Sequence, residues 1–201
     1  MSETDEIYER YLQRAIREIN TLGEEIATCG RIPHPAPVPV LGSGHPLADV
    51  FLLKYRPQPA EVQEGVAFYG RSGAAVLKSL RRLGVDPLLI YGTNCVKCSD
   101  SDPDAAHAAC PVWLLRELAI VEPRIVVVMG EESVDVLNDL EVPLSTPLDG
   151  SLVGDVQPFT PTIEALVTPD IDGSLNDDES KRAFWRAFQA LGRWHDALPP
   201  Y

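Results

Sequence analysis

The sequence predicts an α/β fold, namely a three-layer α/β/α sandwich around a central, mainly parallel sheet of about four strands. Short apolar runs of strand length alternate along the chain with segments of helical periodicity, and this alternation is typical of a parallel sheet covered on both faces. The chain has 201 residues, of which 45% are hydrophobic. That is enough to bury the core which such a sandwich needs.

The chain begins with an amphipathic helix and continues into a connector. Between residues 3 and 28 the apolar residues recur at spacings of three and four, which is the period of a helix with one buried face. The stretch RIPHPAPVPV that follows is too rich in proline to remain helical. We therefore divide the chain into a helix (1–28), a connector (29–47) and an α/β/α domain (48–201).

Strand-like and helix-like segments alternate within this domain. The predicted strands are residues 48–53, 88–96, 124–130 and 163–170, and the predicted helices are 73–84, 111–121, 131–140 and 178–194. The segment 54–73 is predicted to be a long loop, and such loops are often functional. Ligands of parallel sheets bind at the carboxyl ends of the strands, so we look for the site around 54–73, Asn94, Gly130 and Thr168.

The net charge of −13 limits the classes of partner. It argues against strong, non-specific binding of nucleic acid, because that binding depends on basic residues, but it leaves room for a small local basic site. No apolar run approaches the length of a membrane span, and the charged start MSETDEIYERYLQ shows no secretory signal. We expect a cytoplasmic monomer with no membrane partner.

The cysteines form the most informative cluster. Cys95, Cys98 and Cys110 fall within YGTNCVKCSDSDPDAAHAAC (91–110), and Cys29 lies far upstream. In a reducing compartment these residues are expected to be free thiols or ligands. Cys95 and Cys98 have a CxxC spacing that can chelate a metal, but Cys95 lies on a predicted buried strand, where a free thiol is usual.

Several stretches resemble one family, the iron–sulfur uracil-DNA glycosylases called family 4. The most specific are TNCVKC (93–98) and EGVAFYGRSG (64–73), and the strand PRIVVVMG (123–130) and the helix WLLREL (113–118) also match. The resemblance implies the α/β/α fold and a DNA or nucleotide ligand. These enzymes must flip a base out of the stack into a pocket.

The resemblance also implies roles for individual residues. Phe68 is expected to stack on the flipped base, and Asn94 to read its edge. Tyr55 stands where the family has an acid that helps to activate water, and Thr168 where it has a histidine that stabilises negative charge. Losing such a donor can cost about 10²–10³ in rate.

Charged residues surround the same predicted pocket. Lys54, Arg56, Arg71 and Lys97 are expected to form a positive mouth for phosphate or a nucleic-acid end, with chance placement as the alternative. Glu61 and Glu64 could replace the lost acid, although a solvated loop is the simpler interpretation of both.

The family binds a structural [4Fe–4S] cluster through four cysteines. The resemblance assigns Cys29, Cys98 and Cys110 to three of these positions, and the fourth falls on Ile26, which cannot bind iron. Cys95 is the only other thiol in the chain. A cluster, a zinc ion and a bare site with buried thiols all stay open.

The sequence thus predicts a divergent member of this superfamily with degenerate catalytic motifs. We expect it to bind a base or nucleotide in the former uracil pocket, with weak or no uracil excision. The alternatives are an active DNA glycosylase of base-excision repair, with substitutes for the acid and the histidine, and a protein-interaction module.

Overall fold

The protein is described here by a computed structural model, which covers residues 3–29, 39–98 and 103–199. Residues 30–38 of the connector predicted at 29–47 and the acidic run 99–102 lie outside the described residues. Among the helices of the covered ranges, none combines the length and apolar character needed to cross a membrane.

The centre of the fold is a six-stranded sheet with the order β1-β3-β2-β4-β6-β5. Its strands are β1 (Ser43–Gly44), β2 (Val50–Lys54), β3 (Ile90–Asn94), β4 (Ile125–Met129), β5 (Val156–Pro158) and β6 (Glu164–Thr168). The four inner strands are parallel, and each outer strand is antiparallel to its neighbour. The predicted α/β class and the mainly parallel sheet are therefore confirmed. The sequence interpretation missed β1 and β5 because they have only two and three residues and no apolar run.

The helices lie before, between and after these strands. They are α1 (Glu3–Ala27), α2 (Pro59–Glu64), α3 (Arg71–Arg82), α4 (Pro103–Ala109), α5 (Pro111–Val121), α6 (Glu131–Asp139), α7 (Ile171–Ser174) and α8 (Asp178–Asp196). The prediction of one continuous loop over 54–73 was wrong, because this segment contains α2. That helix has a proline in its first turn and ends at Gly65 in the left-handed conformation. Six residues are too few to show helical periodicity.

The sheet is buried on both faces. On one side, called here the α5 face, Phe51 packs with Leu114 of α5. On the other side, called the α3 face, Leu52 packs with Val76 of α3 and Phe188 of α8. Successive strand residues point to opposite faces, so each inner strand contributes to both cores.

The long helix α1 lies against α5. Leu22 and Ile26 of α1 pack with Trp113 of α5, and Glu25 forms an ion pair with Arg116. These contacts place the end of α1 beside the chain that follows β3.

Candidate functional site

The carboxyl ends of the four inner strands carry one row of residues across the sheet. In register, Asn94 lies opposite Lys54, Lys54 opposite Met129, and Met129 opposite Thr168. Neighbours in such a row share a face, and for these residues it is the α3 face. The structure therefore brings Asn94 and Thr168 to the same edge and the same face, as the sequence predicted.

Asn94 is the most unusual residue of this row. Its side chain is fully buried, and neither its amide nitrogen nor its amide oxygen has a hydrogen-bond partner within the described part of the chain. Leaving a buried polar group unpaired costs about 1–3 kcal/mol. A bare buried amide therefore needs an explanation, and a ligand that pairs with it is one.

Phe68 lies over the same strand. Its ring covers Gly92, where an added Cβ atom would lie 2.7 Å from Phe68 Cδ2. Gly92 is two residues before Asn94 and so on the same face of β3. The ring also lines a cavity of about 200 Å³ between β3 and α3. The ring of Phe68, the predicted stacking residue, thus lies over the face of β3 that also carries Asn94, the predicted reading residue.

The conformation of Phe68 is fixed by Glu61. Phe68 has a φ of 58°, which is strained for a residue with a side chain. Its backbone N–H donates to the Glu61 carboxylate, which also accepts from the backbone N–H of Gln58 at 2.7 Å. Glu61 is completely buried. The interpretation of Glu61 as part of a solvated loop was therefore wrong, whereas Glu64 is indeed exposed.

Lys54 forms the centre of a buried ion cluster. Its ammonium is 2.6 Å from Glu61 and 2.7 Å from Asp172 of α7, and the lysine side chain is only 1% exposed. The same nitrogen is 5.6 Å from the centroid of the Phe68 ring. One cation with two carboxylates leaves a formal charge of −1 here. Lys54 therefore offers no free positive charge to a phosphate.

Lys97 is also buried as a counterion, but on the α5 face. Its ammonium lies 2.6 Å from Glu117 and 2.6 Å from the Thr93 hydroxyl. Glu117 also accepts from the Tyr91 hydroxyl at 3.1 Å. Burial, followed by this carboxylate, raises the pKa of Tyr91 far above its usual value. We therefore do not assign Lys97 to an anion site.

The two arginines of the expected positive mouth are both exposed. The Arg56 guanidinium lies 5.2 Å from the centroid of the Tyr55 ring. Arg71 donates to the backbone carbonyl of Leu175 and lies 3.4 Å from the Asn176 side chain. Without the two buried lysines, the positive mouth is reduced to these two surface side chains, and its role in anion binding stays a prediction.

The two altered catalytic positions offer little to a reacting base. Tyr55 is half-buried and packs in the apolar core of the α5 face, away from the side on which Asn94 lies. Thr168 is 1% exposed, and its hydroxyl donates to the Pro169 carbonyl at 3.2 Å.

A negatively charged recess adjoins Thr168. It has a volume of about 640 Å³, and its wall includes Glu131, Glu132, Asp135 and Asp170. We call it the acidic recess. Its carboxylates make the potential at this end of the sheet negative, which disfavours phosphate.

The structure also brings three of the four cysteines together. Cys29, Cys98 and Cys110 line one small cavity with Ile26 and Trp113. Burial, and then the neighbouring Cys110 and Cys29, raise the pKa of Cys98 to about 11. The predicted set of three thiols with Ile26 at the fourth corner therefore agrees with the arrangement found here.

Cys95 does not belong to this group. It lies in the core of the α5 face near Ser133, and burial raises its pKa to about 12. The thiol cavity has a volume of only about 10 Å³, and the described ranges contain no group of three or more His, Cys, Asp or Glu side chains arranged to hold a metal. The cavity thus holds three of the four thiols that a four-thiolate cluster requires, with Ile26 beside them, and the three are not arranged to hold a metal ion.

Comparison with known proteins gives a consistent result. A family model described as the uracil DNA glycosylase superfamily matches residues 41–192. Three proteins named type-4 uracil-DNA glycosylase are similar. The one from Sulfurisphaera tokodaii is 31% identical over 99 residues, covering 47% of this chain and 45% of the relative. The one from Pyrobaculum aerophilum is 28% identical over 131 residues (61% and 66%), and the one from Saccharolobus solfataricus 28% over 103 residues (49% and 48%). This chain therefore spans about half to two thirds of the length of these relatives.

Proposed function

Because the chain belongs to the uracil DNA glycosylase superfamily, we propose that it binds a nucleobase of DNA or of a nucleotide at the carboxyl edge of its sheet, with weak or no excision of uracil. The observation that carries this proposal is the buried side chain of Asn94, whose two polar atoms have no partner in the described ranges. An amide presents one donor and one acceptor, and the edge of a nucleobase is complementary to that pair.

Phe68 supports the same proposal from the other side of the site. Its ring is half-buried beside a cavity, and stacking of a base on an aromatic ring is worth about 1–3 kcal/mol. The chain accepts a strained left-handed backbone at this residue and holds it with Glu61. Strain that surrounding contacts maintain is typical of ligand sites.

The weakness of excision follows from Tyr55 and Thr168. Uracil leaves the sugar as an anion, so its release needs a donor at the carbonyl where charge develops. The Thr168 hydroxyl already donates to Pro169, and the acidic recess surrounds it with negative charge. Both features oppose an anionic leaving group.

One observation favours the second candidate, an active glycosylase. Asp172 is paired with Lys54 through one oxygen, and its side chain is 17% exposed. It is a carboxylate at the site that does not come from the expected acidic position. In this candidate Asp172 replaces the acid that Tyr55 has displaced.

The thiol cavity has no part in base recognition under either candidate. Cys110 packs with Trp113 of α5, and Cys98 lines the same cavity, apart from the row that carries Asn94. A metal centre held there would tie the end of α1 to the chain after β3, which is a structural role.

The test is binding of a single-stranded oligonucleotide with one uracil, measured at several salt concentrations, together with base release from the same samples. Asn94→Ala is expected to abolish binding, and Asn20→Ala, which removes an exposed amide from α1, is the matched control. Equal binding by the wild type and Asn94→Ala would contradict the proposal. If the wild type releases the base and both Asn94→Ala and Asp172→Asn abolish this release, the protein is an active glycosylase.

A further inference from the structure

We propose that a groove between α3 and α8 binds the phosphate backbone of the single strand whose base lies at Asn94. This inference rests on the proposed function, because it names a second contact of the same ligand. The groove has a volume of about 180 Å³, and Lys78 and Arg82 of α3 and Lys181 of α8 line it. None of the described residues that line it is acidic. We call it the basic groove.

Two of these three cations have no counterion. Lys78 and Arg82 are exposed, and neither forms an ion pair with a carboxylate in the ranges that the structure covers. Lys181 is different, because its ammonium lies 3.0 Å from Asp178. The basic groove therefore carries free positive charge, and a concave surface of one sign raises the local concentration of ions of the opposite sign.

The acidic residues near the basic groove are at one end of α8. There Asp177 is the helix cap and accepts from the backbone N–H groups of Glu179 and Ser180, and Asp178 is paired with Lys181. Glu179 is exposed and does not line the groove. The opposite wall, α3, contains four basic residues and no acidic one. The excess of positive charge therefore lies along α3.

Trp185 of α8 prepares the Arg82 side chain for a phosphate. The guanidinium carbon of Arg82 lies over the indole ring, 4.3 Å from its centroid. This contact restricts the side chain but leaves the N–H donors in the plane of the guanidinium free, so less entropy is lost when two of them bind one phosphate. Lys78 lies four residues before Arg82, which places the two cations on the same side of the helix.

The basic groove lies on the same face of the sheet as Asn94. Its wall includes Ile171 and Phe184, which belong to the core of the α3 face. The wall of the acidic recess instead includes Val134 and Val167, which belong to the core of the α5 face. The two clusters of charge are therefore on opposite sides of the sheet, and both favour a strand that runs along the α3 face.

The helix α3 separates the basic groove from the cavity beside Phe68. Gly73 and Leu77 on one side of α3 line the Phe68 cavity, whereas Lys78 and Arg82 on the other side line the basic groove. The two sites thus share one helix as a common wall.

Arg71 connects the two sites at the beginning of this helix. It follows Phe68 by three residues, and its guanidinium donates to the backbone carbonyl of Leu175, which lines the basic groove. A guanidinium has five N–H donors, so others remain for a phosphate. The neighbouring carboxylate of Asp172 is already paired with Lys54 at 2.7 Å. A strand that leaves the base site beside Arg71 therefore meets positive charge as it continues into the basic groove.

The experiment measures binding of a labelled single-stranded oligonucleotide with one uracil to the full chain, by fluorescence anisotropy over a range of salt concentrations. Each lost phosphate contact should reduce the slope of log K against log salt by about 0.7. We expect Lys78→Gln and Arg82→Gln each to show this reduction and to bind about fivefold more weakly. Arg81→Gln removes an exposed cation of the same helix that does not line the groove, and this matched control should resemble the wild type.

The outcomes separate the two proposals. If Asn94→Ala abolishes binding while Lys78→Gln and Arg82→Gln behave like Arg81→Gln, the basic groove is overturned and the base site stands. If Asn94→Ala binds like the wild type while Lys78→Gln reduces the slope, the basic groove stands and the base site is overturned. A wild type that does not bind the strand even at the lowest salt concentration overturns both.

Inorganic phosphate distinguishes a strand from a small phosphate ligand. We expect calorimetry to detect no saturable binding of inorganic phosphate to the wild type, because a single phosphate gains no contact with the base site. Saturable binding that Arg82→Gln abolishes, together with a strand affinity that the same variant leaves unchanged, would assign the basic groove to a small phosphate ligand and overturn the proposal.

Discussion

The backbone N–H of Phe68 donates to the buried carboxylate of Glu61, so an acid seven residues earlier in the chain holds the aromatic ring of the site in place. The same carboxylate is an ion-pair partner of Lys54. One side chain thus connects the left-handed backbone at Phe68 to the end of β2.

Replacing Glu61 by glutamine should therefore be costly. Glu61→Gln keeps the shape but removes the charge opposite Lys54, which retains only Asp172. We expect the free energy of unfolding to fall by about 2–3 kcal/mol, measured by urea denaturation. Glu64→Gln, which changes an exposed carboxylate of the same helix, is the control and should be neutral. Equal stability of the two variants would show that Glu61 is not an anchor.

We expect the buried amide of Asn94 to lower the free energy of unfolding when no ligand is bound. Asn94→Leu removes a buried, unpaired amide and puts an apolar side chain of similar size in its place. We expect the free energy of unfolding to rise by about 1 kcal/mol, while base binding is lost. Thermal unfolding and oligonucleotide binding of the same preparation check both halves. A lower free energy of unfolding in Asn94→Leu than in the wild type would mean that the Asn94 side chain has a partner in the folded chain.

The ring of Phe68 can be displaced without touching Phe68 itself. Gly92→Ala places a methyl group 2.7 Å from Phe68 Cδ2, and the ring is the movable partner because it ends a side chain. We expect base affinity to fall about tenfold, as for loss of one stacking contact, with the fold preserved.

Gly23→Ala is the matched control for this substitution. It adds the same methyl group on α1, where the nearest atom, Leu41 Cδ1, is 3.4 Å away. If Gly92→Ala leaves the affinity for the base unchanged, the base does not stack on Phe68.

The thiol cavity can be completed by one substitution. Ile26→Cys supplies a fourth thiol beside Cys29, Cys98 and Cys110. After anaerobic reconstitution with iron and sulfide, this variant should retain more iron and acid-labile sulfide per chain than the wild type. Leu22→Cys is the control, because it adds a thiol to the same apolar cluster but not to the cavity. This variant should retain no more iron and sulfide than the wild type. Substantial and equal iron content in the wild type and Ile26→Cys would show that three thiols suffice, and no iron in either would show that the fourth thiol does not complete a site.

The buried thiols predict a loss of stability in alkaline solution. Burial raises the pKa of Cys95 to about 12 and that of Cys98 to about 11, from an ordinary value of 9.0. Above pH 9 the unfolded chain loses these protons while the folded chain keeps them. Stability must therefore fall as pH rises from 9 towards 11, by about 1.4 kcal/mol per pH unit for each proton.

Guanidinium unfolding between pH 8 and pH 10.5 measures this slope. Tyr91, whose pKa is also raised by burial, adds to the decline above pH 10 in both proteins. Cys95→Ala removes one thiol, so its free energy of unfolding should fall with pH less steeply, by about one proton. An identical slope in the variant and the wild type would mean that Cys95 ionises equally in both states.

The sequence was a good guide wherever a local pattern carried the information. Periodicity located the long helices and the four inner strands. The family resemblance singled out Phe68 and Asn94, and the structure places the Phe68 ring over Gly92, on the face of β3 that carries Asn94. The grouping of three cysteines with Ile26 was also implied by the family resemblance, and the structure places these four residues around one cavity.

The charges could not be predicted in the same way. Lys54 and Lys97 were expected at a positive mouth, but each ends or follows a buried strand and needs a buried counterion. Two of the three counterions lie far along the chain, since Asp172 is 118 residues from Lys54 and Glu117 is 20 residues from Lys97, whereas Glu61 is seven residues from Lys54. Contacts of that range depend on how the strands assemble. The pattern Gln58-x-x-Glu61, which forms a capping box here, was the one local signal of a fixed acid.

The two outermost strands have a consequence for the behaviour of the protein in concentrated solution. An edge strand exposes unpaired N–H and C=O groups that can join another sheet, and here the edges are β1 with two residues and β5 with three. The longer parallel strands are all enclosed between neighbours. We therefore expect little edge-to-edge pairing between molecules, even in salt strong enough to screen the net charge of −13.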